Sequence, residues 1–317
     1  MVAPKPSPLV STFRRIIFAA LLSTGCQVHA ALLIHEGFNG YTAGSGFAAG
    51  TTPNANTTGL DTSTNFGGSG HANLTYSESG LTFGNLATSG GSMRFGTTTS
   101  VLSARSSLTS SFTGTLYSSF LINFSAKGTS ASHGFVTRIS DNINDDTGSR
   151  LNSFADSRSG SSLNAGIAYG SAYGSPTLNA STGLITDTTY IVISSFTNIG
   201  GNLATSNGTG TLYALTLSQF AAMTASSNWE GYLNDTPVGT EADQISVRVS
   251  RNATTGTPTL GADADDFFQV VTSGNSGAFD ELRYGSTLEA VVPLIPEPSS
   301  ALLASLGAFG FLHRRRR

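Results

Sequence analysis

The span from residue 31 to residue 292 predicts an all-β domain, an antiparallel β-sandwich, on three observations. It holds many short apolar runs and no long stretch at helical period. Within the runs, apolar and polar residues alternate, as along a strand with one buried face. Between the runs stand Gly, Asn, Ser, Thr and Asp, the residues of tight turns. Apolar residues make up 38% of the chain, and their patterning supports a packed core over disorder.

In chain order, residues 1–30 read as a secretory signal. Lys5, Arg14 and Arg15 supply the charged region, and Ile16 to Leu22 the apolar one. Val28-His29-Ala30 places small residues around a cut between Ala30 and Ala31. The Arg14-Arg15 pair reads as ordinary charge of the leader, not as a twin-arginine signal. A lipoprotein box at Cys26 ranks second, because Ser23 stands three residues before the cysteine. Cys26 is the chain's one cysteine, so after cleavage at Ala30 neither disulfides nor thiolate metal sites are available.

The first strand starts at Ala31 to Ile34. Residues 42–72, rich in Gly, Thr and Asn, read as long loops between early strands. Leu116, Phe120, Ile122 and Phe124 line one face of an alternating run, and Phe135, Thr137 and Ile139 line another. Asn142 to Gly166 reads as an exposed loop, and so does Ala168 to Ser175, which would expose Tyr169 and Tyr173. Tyr190 to Ile193 is a nearly continuous apolar strand, followed by Tyr213, Leu215 and Leu217. Ser218 reads as the cap of one short helical turn carrying Phe220 and Met223. Ile245, Val247 and Val249 alternate with Ser246 and Arg248; Phe267 to Val271 and Ala278 to Tyr284 close the set. Phe120, Ile122, Phe124, Val192, Ile245, Val247 and Val249 are the predicted core, with Trp229 assigned to it as well.

Residues 31–295 carry 9 basic and 18 acidic groups, a net charge of −9, with Lys127 as their single lysine. Nucleic acid is thereby excluded as a partner, since phosphate binding needs basic clusters. Two acidic clusters, Asp141/Asp145/Asp146 and Asp263/Asp265/Asp266, have the composition of calcium loops. The first lacks the spacing of an EF-hand, and solvated turns explain both, so no metal site is assigned. Asp280 and Glu281, as neighbours on a strand, should point to opposite faces, one hydrogen-bonded near the sheet edge and the other solvated. No paired-carboxylate strand of the glucanase kind occurs, and His35, His71 and His133 are isolated in sequence. No catalytic residue and no cofactor is assigned, and the chain reads as a non-enzyme.

The C-terminus is tripartite. Pro296-Glu297-Pro298 comes first, then an apolar segment from Ala301 to Leu312, then Arg314, Arg315, Arg316 and Arg317. Pro293, Pro296 and Pro298 keep the tail from continuing the last strand's ladder. From Ser299 to Leu312 a helix rises only about 21 Å, against a hydrocarbon core of roughly 30 Å, which suits a transient insertion. The arginines would hold the end on the cytoplasmic side.

This order closely resembles the PEP-CTERM sorting signal of Gram-negative bacteria. The resemblance implies recognition of Pro296-Glu297-Pro298 by exosortase, a transpeptidase-like membrane protease, with 293–317 as the sorting segment. Two further stretches bracket the domain. His35-Glu36-Gly37-Phe38-Asn39-Gly40-Tyr41-Thr42-Ala43-Gly44 resembles the first strand and turn of concanavalin A-like (laminin G-like) jelly rolls. Phe279-Asp280-Glu281-Leu282-Arg283-Tyr284-Gly285 is similar to their last strand, which implies that the first and last strands pair. The resemblances imply an exported, exosortase-sorted structural or interaction protein of the cell surface or matrix, associated with exopolysaccharide and biofilm. A lectin-like carbohydrate-binding module, with Trp229, Tyr232, Tyr169 and Tyr173 as stacking candidates, is the alternative reading. A hydrolase is third.

Overall fold

The computed structural model describes residues 32–44, 57, 58, 60, 73–96, 102–109, 111–127, 135–140, 150–156, 163–170, 177, 178, 183–200, 208–234, 245–250, 267–272 and 274–295. Among them, two antiparallel sheets stack face to face. The eight-stranded sheet contains β1 (Leu32–Glu36), β2 (Thr75–Ser77), β3 (Ser92–Phe95), β5 (Gly114–Ala126), β10 (Thr189–Ile199), β11 (Thr209–Leu215), β12 (Ile245–Ser250) and β14 (Ser276–Gly285). Its order is β12-β11-β10-β5-β14-β3-β2, with β1 also paired to β14. The six-stranded sheet runs β4 (Leu102–Ser107), β13 (Phe267–Thr272), β6 (Phe135–Ser140), β7 (Arg150–Asp156), β8 (Asn164–Tyr169) and β9 (Thr177–Leu178). The antiparallel sandwich expected from the alternation is the fold observed.

The core between the sheets follows the period of two. Leu116, Phe120, Ile122 and Phe124 of β5 meet Phe135 and Ile139 of β6, Leu151 of β7 and Ile167 of β8 in one buried cluster. Phe135 lies at its centre, 4.9 Å from Phe279 and 5.3 Å from Phe95, ring centre to ring centre. Phe120, Ile122, Phe124, Val192, Ile245 and Val247 are buried as expected. Val249 is only partly buried, because β12 is the sheet's outermost strand. A chain of hydroxyls crosses this apolar layer: Ser194 Oγ is 2.6 Å from Ser118 Oγ and 2.6 Å from Ser153 Oγ, joining the two sheets.

The opposite face of the eight-stranded sheet carries a second apolar cluster. There α1 (Leu217–Ala225), α2 (Trp229–Asn234) and α3 (Leu288–Val291) cover Leu121, Ile191, Ile193 and Leu215. Phe220 and Met223 are buried on α1 as expected, but its cap is Thr216, not Ser218. Thr216 and Gln219 bond each other's backbone reciprocally, a capping box that Ser218 cannot form from inside the first turn. Trp229 packs partly buried against this second cluster, outside the inter-sheet core.

Two loop expectations are overturned. Asn142 to Gly166 includes β7 and the start of β8, paired from Leu151↔Tyr169 to Asp156↔Asn164. Tyr169 ends β8 instead of lying in a loop; it is 1% exposed and donates from its hydroxyl to the Thr197 carbonyl at 2.7 Å. Tyr173 lies outside the described residues.

Candidate functional site

The first and last strands meet, as the bracketing motifs imply. β1 pairs antiparallel with β14 in the register Ile34↔Tyr284, His35↔Arg283 and Glu36↔Leu282. The seam gathers three carboxyl groups. Asp280 and Glu281 do not take opposite faces, and neither is solvated: they are 1% and 0% exposed. The cause is a bulge, because three residue steps on β14 from Asp280 to Arg283 oppose two on β5 from Leu121 to Ser119. Glu281 adopts φ 53, in the left-handed region. Phe279, Leu282 and Tyr284 all stay in the core, so both acids between Phe279 and Leu282 leave it.

Each acid is held by a full set of donors. Glu281 accepts from Arg283 and the Ser89 backbone N–H, and shares a hydrogen bond with His35 Nε2 at 3.2 Å. Asp280 accepts from the Leu81 N–H at 2.7 Å and from the N–H of Glu281 at 2.7 Å. Glu36 accepts from the Phe38 N–H at 2.7 Å and from the Tyr41 hydroxyl at 2.9 Å. Two glycines allow this closeness: a Cβ on Gly37 would lie 2.1 Å from Ser89 Oγ, and one on Gly80 would lie 2.9 Å from Asp280 Oδ2.

Burial, the largest influence, pushes Glu36 up to about 7 and Asp280 up to about 8, and the charge of Glu281 adds to both. Burial also acts on Glu281, but the His35 hydrogen bond and the Arg283 charge outweigh it and hold that carboxyl below its ordinary value. The cluster therefore sustains one firmly ionised acid against one guanidinium. With its acids sealed from water, it fastens the domain's two ends together.

The chain leaving this seam is pinned again. After α3, Ala87 N–H donates to the Pro293 carbonyl at 2.8 Å, and Ile295 N–H to the Asn85 carbonyl at 2.8 Å, with Leu294 bridged to Leu86 between them. Ile295 itself is 56% exposed. The sorting residues Pro296, Glu297 and Pro298, the arginines Arg314 to Arg317 and the cut at Ala30 and Ala31 lie outside the described residues.

A pocket of about 170 Å³ opens on the helix-bearing face of the eight-stranded sheet. Its floor is a rung of side chains across four strands: Tyr117 faces Ser195, Ser195 faces Thr211, and Thr211 faces Arg248. Ser195 Oγ and Thr211 Oγ1 are 2.6 Å apart. At one end Tyr117 donates to the exposed Glu230 of α2. Beside the rung, Tyr213 donates to Asn234 Oδ1 at 3.3 Å, and burial raises its phenol while the Arg248 charge opposes that rise. Sequence reasoning missed this site because its residues come from four separate strands and a helix. The signal available was the Ser/Thr content of the positions alternating with the core residues.

Among the described residues no group of three His, Cys, Asp or Glu side chains could hold a metal ion, and no helix is long and apolar enough to cross a membrane. Both acidic clusters weighed for calcium, together with His71 and His133, lie outside the described residues.

Residues 294–317 match the model of the PEP-CTERM protein-sorting motif. The C-terminus therefore carries a PEP-CTERM sorting signal. No curated protein matches the chain. Solved structures similar to it include lectin II from Ulex europaeus (9% identity, 68% of this chain and 93% of that one, TM-score 0.39). The globular domain of T. cruzi calreticulin has 12% identity over 90% of this chain and all of its own, TM-score 0.40. A PL-14 alginate lyase from Aplysia kurodai has 8% identity over 68% and 87%, TM-score 0.39. At such identities and scores these neighbours say nothing of ligand or activity.

Proposed function

We infer that the chain is an exported protein, sorted through its tail by exosortase and displayed at the cell surface or in the extracellular matrix as a structural or interaction protein. The match of residues 294–317 to the sorting motif carries this reading. Residues 1–30 serve as the export signal, cut between Ala30 and Ala31. The segment from Ala301 to Leu312 enters the inner membrane transiently, Arg314 to Arg317 keep the end cytoplasmic, and Pro296-Glu297-Pro298 waits on the outer side for exosortase. An association with exopolysaccharide and biofilm follows from the same resemblance.

The test is expression in an exosortase-bearing host of wild type, Glu297→Ala, and a variant with all four arginines replaced by serine. Wild type loses its tail and reaches the surface, while both variants accumulate unprocessed or mislocalised. Sorting of both variants like wild type overturns the reading.

A lectin-like, carbohydrate-binding role is the second reading, and the hydroxyl-lined pocket favours it over a purely structural one. The buried acids of the β1–β14 seam support a non-enzymatic role, since each is already engaged and closed to water.

A further inference from the structure

We propose that the Tyr117–Ser195–Thr211–Arg248 rung is a binding site for a single neutral sugar ring of a glycan. This inference rests on the lectin-like reading and adds to it a place and a ligand class.

The four residues occupy consecutive strands β5, β10, β11 and β12 in direct register on one face. Three inter-strand steps set the rung's ends about 14 Å apart. Along that line the chemistry changes from an acceptor end to a donor end. Glu230 offers carboxylate oxygens beside Tyr117, the Ser195 and Thr211 hydroxyls can each donate or accept, and the Arg248 guanidinium only donates. A sugar is a ring of adjacent hydroxyls that both give and take hydrogen bonds, so a ring seated over the central Ser195–Thr211 pair can bond that pair and the neighbouring Arg248 donors. Arg248 is exposed and makes no ion pair among the described residues, leaving its donors available. Tyr117 and Tyr213, each half-buried, add ring surface for the apolar face of a pyranose.

Size and charge narrow the class. At about 170 Å³ the pocket is smaller than the roughly 300 Å³ at which sites enclose a drug-sized ligand, so one ring fits and the rest of the glycan stays outside. The wall contains Glu230, and residues 31–295 carry a net charge of −9, which repels uronate and sulfate polymers. One arginine at one end does not offset that field.

The test uses the full chain, held in a detergent without a sugar headgroup. It is titrated against an array of neutral gluco-, manno- and galacto-oligosaccharides and against oligogalacturonate. Wild type is compared with Thr211→Val, which keeps the β-branched shape and removes the hydroxyl, and with Arg248→Ser at an exposed position. At least one neutral glycan binds, each variant weakens it tenfold or more, and oligogalacturonate binds at least tenfold more weakly. Neutral binding that survives both variants overturns the site while leaving the lectin-like reading standing. Tighter binding of oligogalacturonate overturns the ligand class, and no binding to any glycan overturns both.

Discussion

His35 and Arg283 face each other across the pairing of the first and last strands, and both bond the same oxygen, Oε2 of Glu281. One buried carboxylate thus ties residue 35 to residues 281 and 283, closing the domain where its first and last strands pair. Arg283 also donates to the Ala87 carbonyl, while its Nη1 has no partner among the described residues, so little spare bonding exists there to replace Glu281.

Glu281→Gln should therefore cost about 3–5 kcal/mol, the range for breaking a buried pair by removing one partner. The left-handed φ of residue 281 is retained in the variant, so the loss reports the charge and not the backbone. Urea unfolding measures it. A loss under about 1 kcal/mol would mean that Asp280 already neutralises Arg283 by itself.

The seam also sets a pH dependence. Glu36 titrates at about 7 and Asp280 at about 8 in the folded protein, above their ordinary 4.5 and 3.8. Raised carboxyl groups keep protons that the unfolded chain has released, so stability falls as pH rises from about 4 and levels off above about 8. Glu281, held low, has the opposite sign: its contribution is present above 4.5 and is lost as pH falls through its folded value. In Glu36→Gln, the amide oxygen can still accept from Phe38 and the amide nitrogen can donate to the Tyr41 hydroxyl. This variant should lose on the order of 3 kcal/mol of the decline between pH 5 and pH 8. Parallel stability-pH curves for wild type and variant would refute the assignment.

The hydroxyl chain across the core gives a third expectation. Ser194 bonds Ser118 on its own sheet and Ser153 on the other, so Ser194→Ala strands two buried hydroxyls. The cost should be about 1–3 kcal/mol, and larger than for Ser118→Ala, which leaves the Ser194–Ser153 bond in place. Equal losses in the two variants would show that the three hydroxyls do not act as a chain.

The sandwich and most of its core were legible because alternation maps directly onto faces: every second residue from Phe120 to Phe124 enters the inter-sheet cluster. Three things were not legible, each for a physical reason. β8 is buried along its whole length, with Ala165, Ile167 and Tyr169 in the core and the small Gly166 and Ala168 between them, so it lacks the polar–apolar alternation that marks a strand. The bulge at Asp280-Glu281 adds a residue, and period-two reasoning assumes there is none. The pocket depends on register among four strands, which one sequence does not specify. The capping box is legible in the sequence: Thr216 and Gln219 stand three apart, whereas Ala221 stands three after Ser218.

The folded domain runs directly into the sorting signal. Pro293 and Ile295 are hydrogen-bonded to residues 87 and 85, and the sorting motif match begins at residue 294, inside that pairing. Pro296 follows at once. No free linker therefore separates the two: β14 ends at Gly285, α3 follows, and the chain from Pro293 to Ile295 then pairs with 85–87. Ending the chain after Ile295 removes the whole Pro-Glu-Pro, apolar and arginine segment while keeping both backbone bonds, so its unfolding midpoint should match the full chain's. Ending it after Val292 removes both bonds and the Leu294–Leu86 bridge beside the second apolar cluster, and should cost about 1–3 kcal/mol. Thermal unfolding of the two truncations, measured in the same detergent as the full chain, separates the cases. If both match the full chain, the clamp contributes nothing and the domain ends before Pro293. If both are destabilised, the tail beyond Ile295 is part of the domain's stability, and it cannot act as a removable signal.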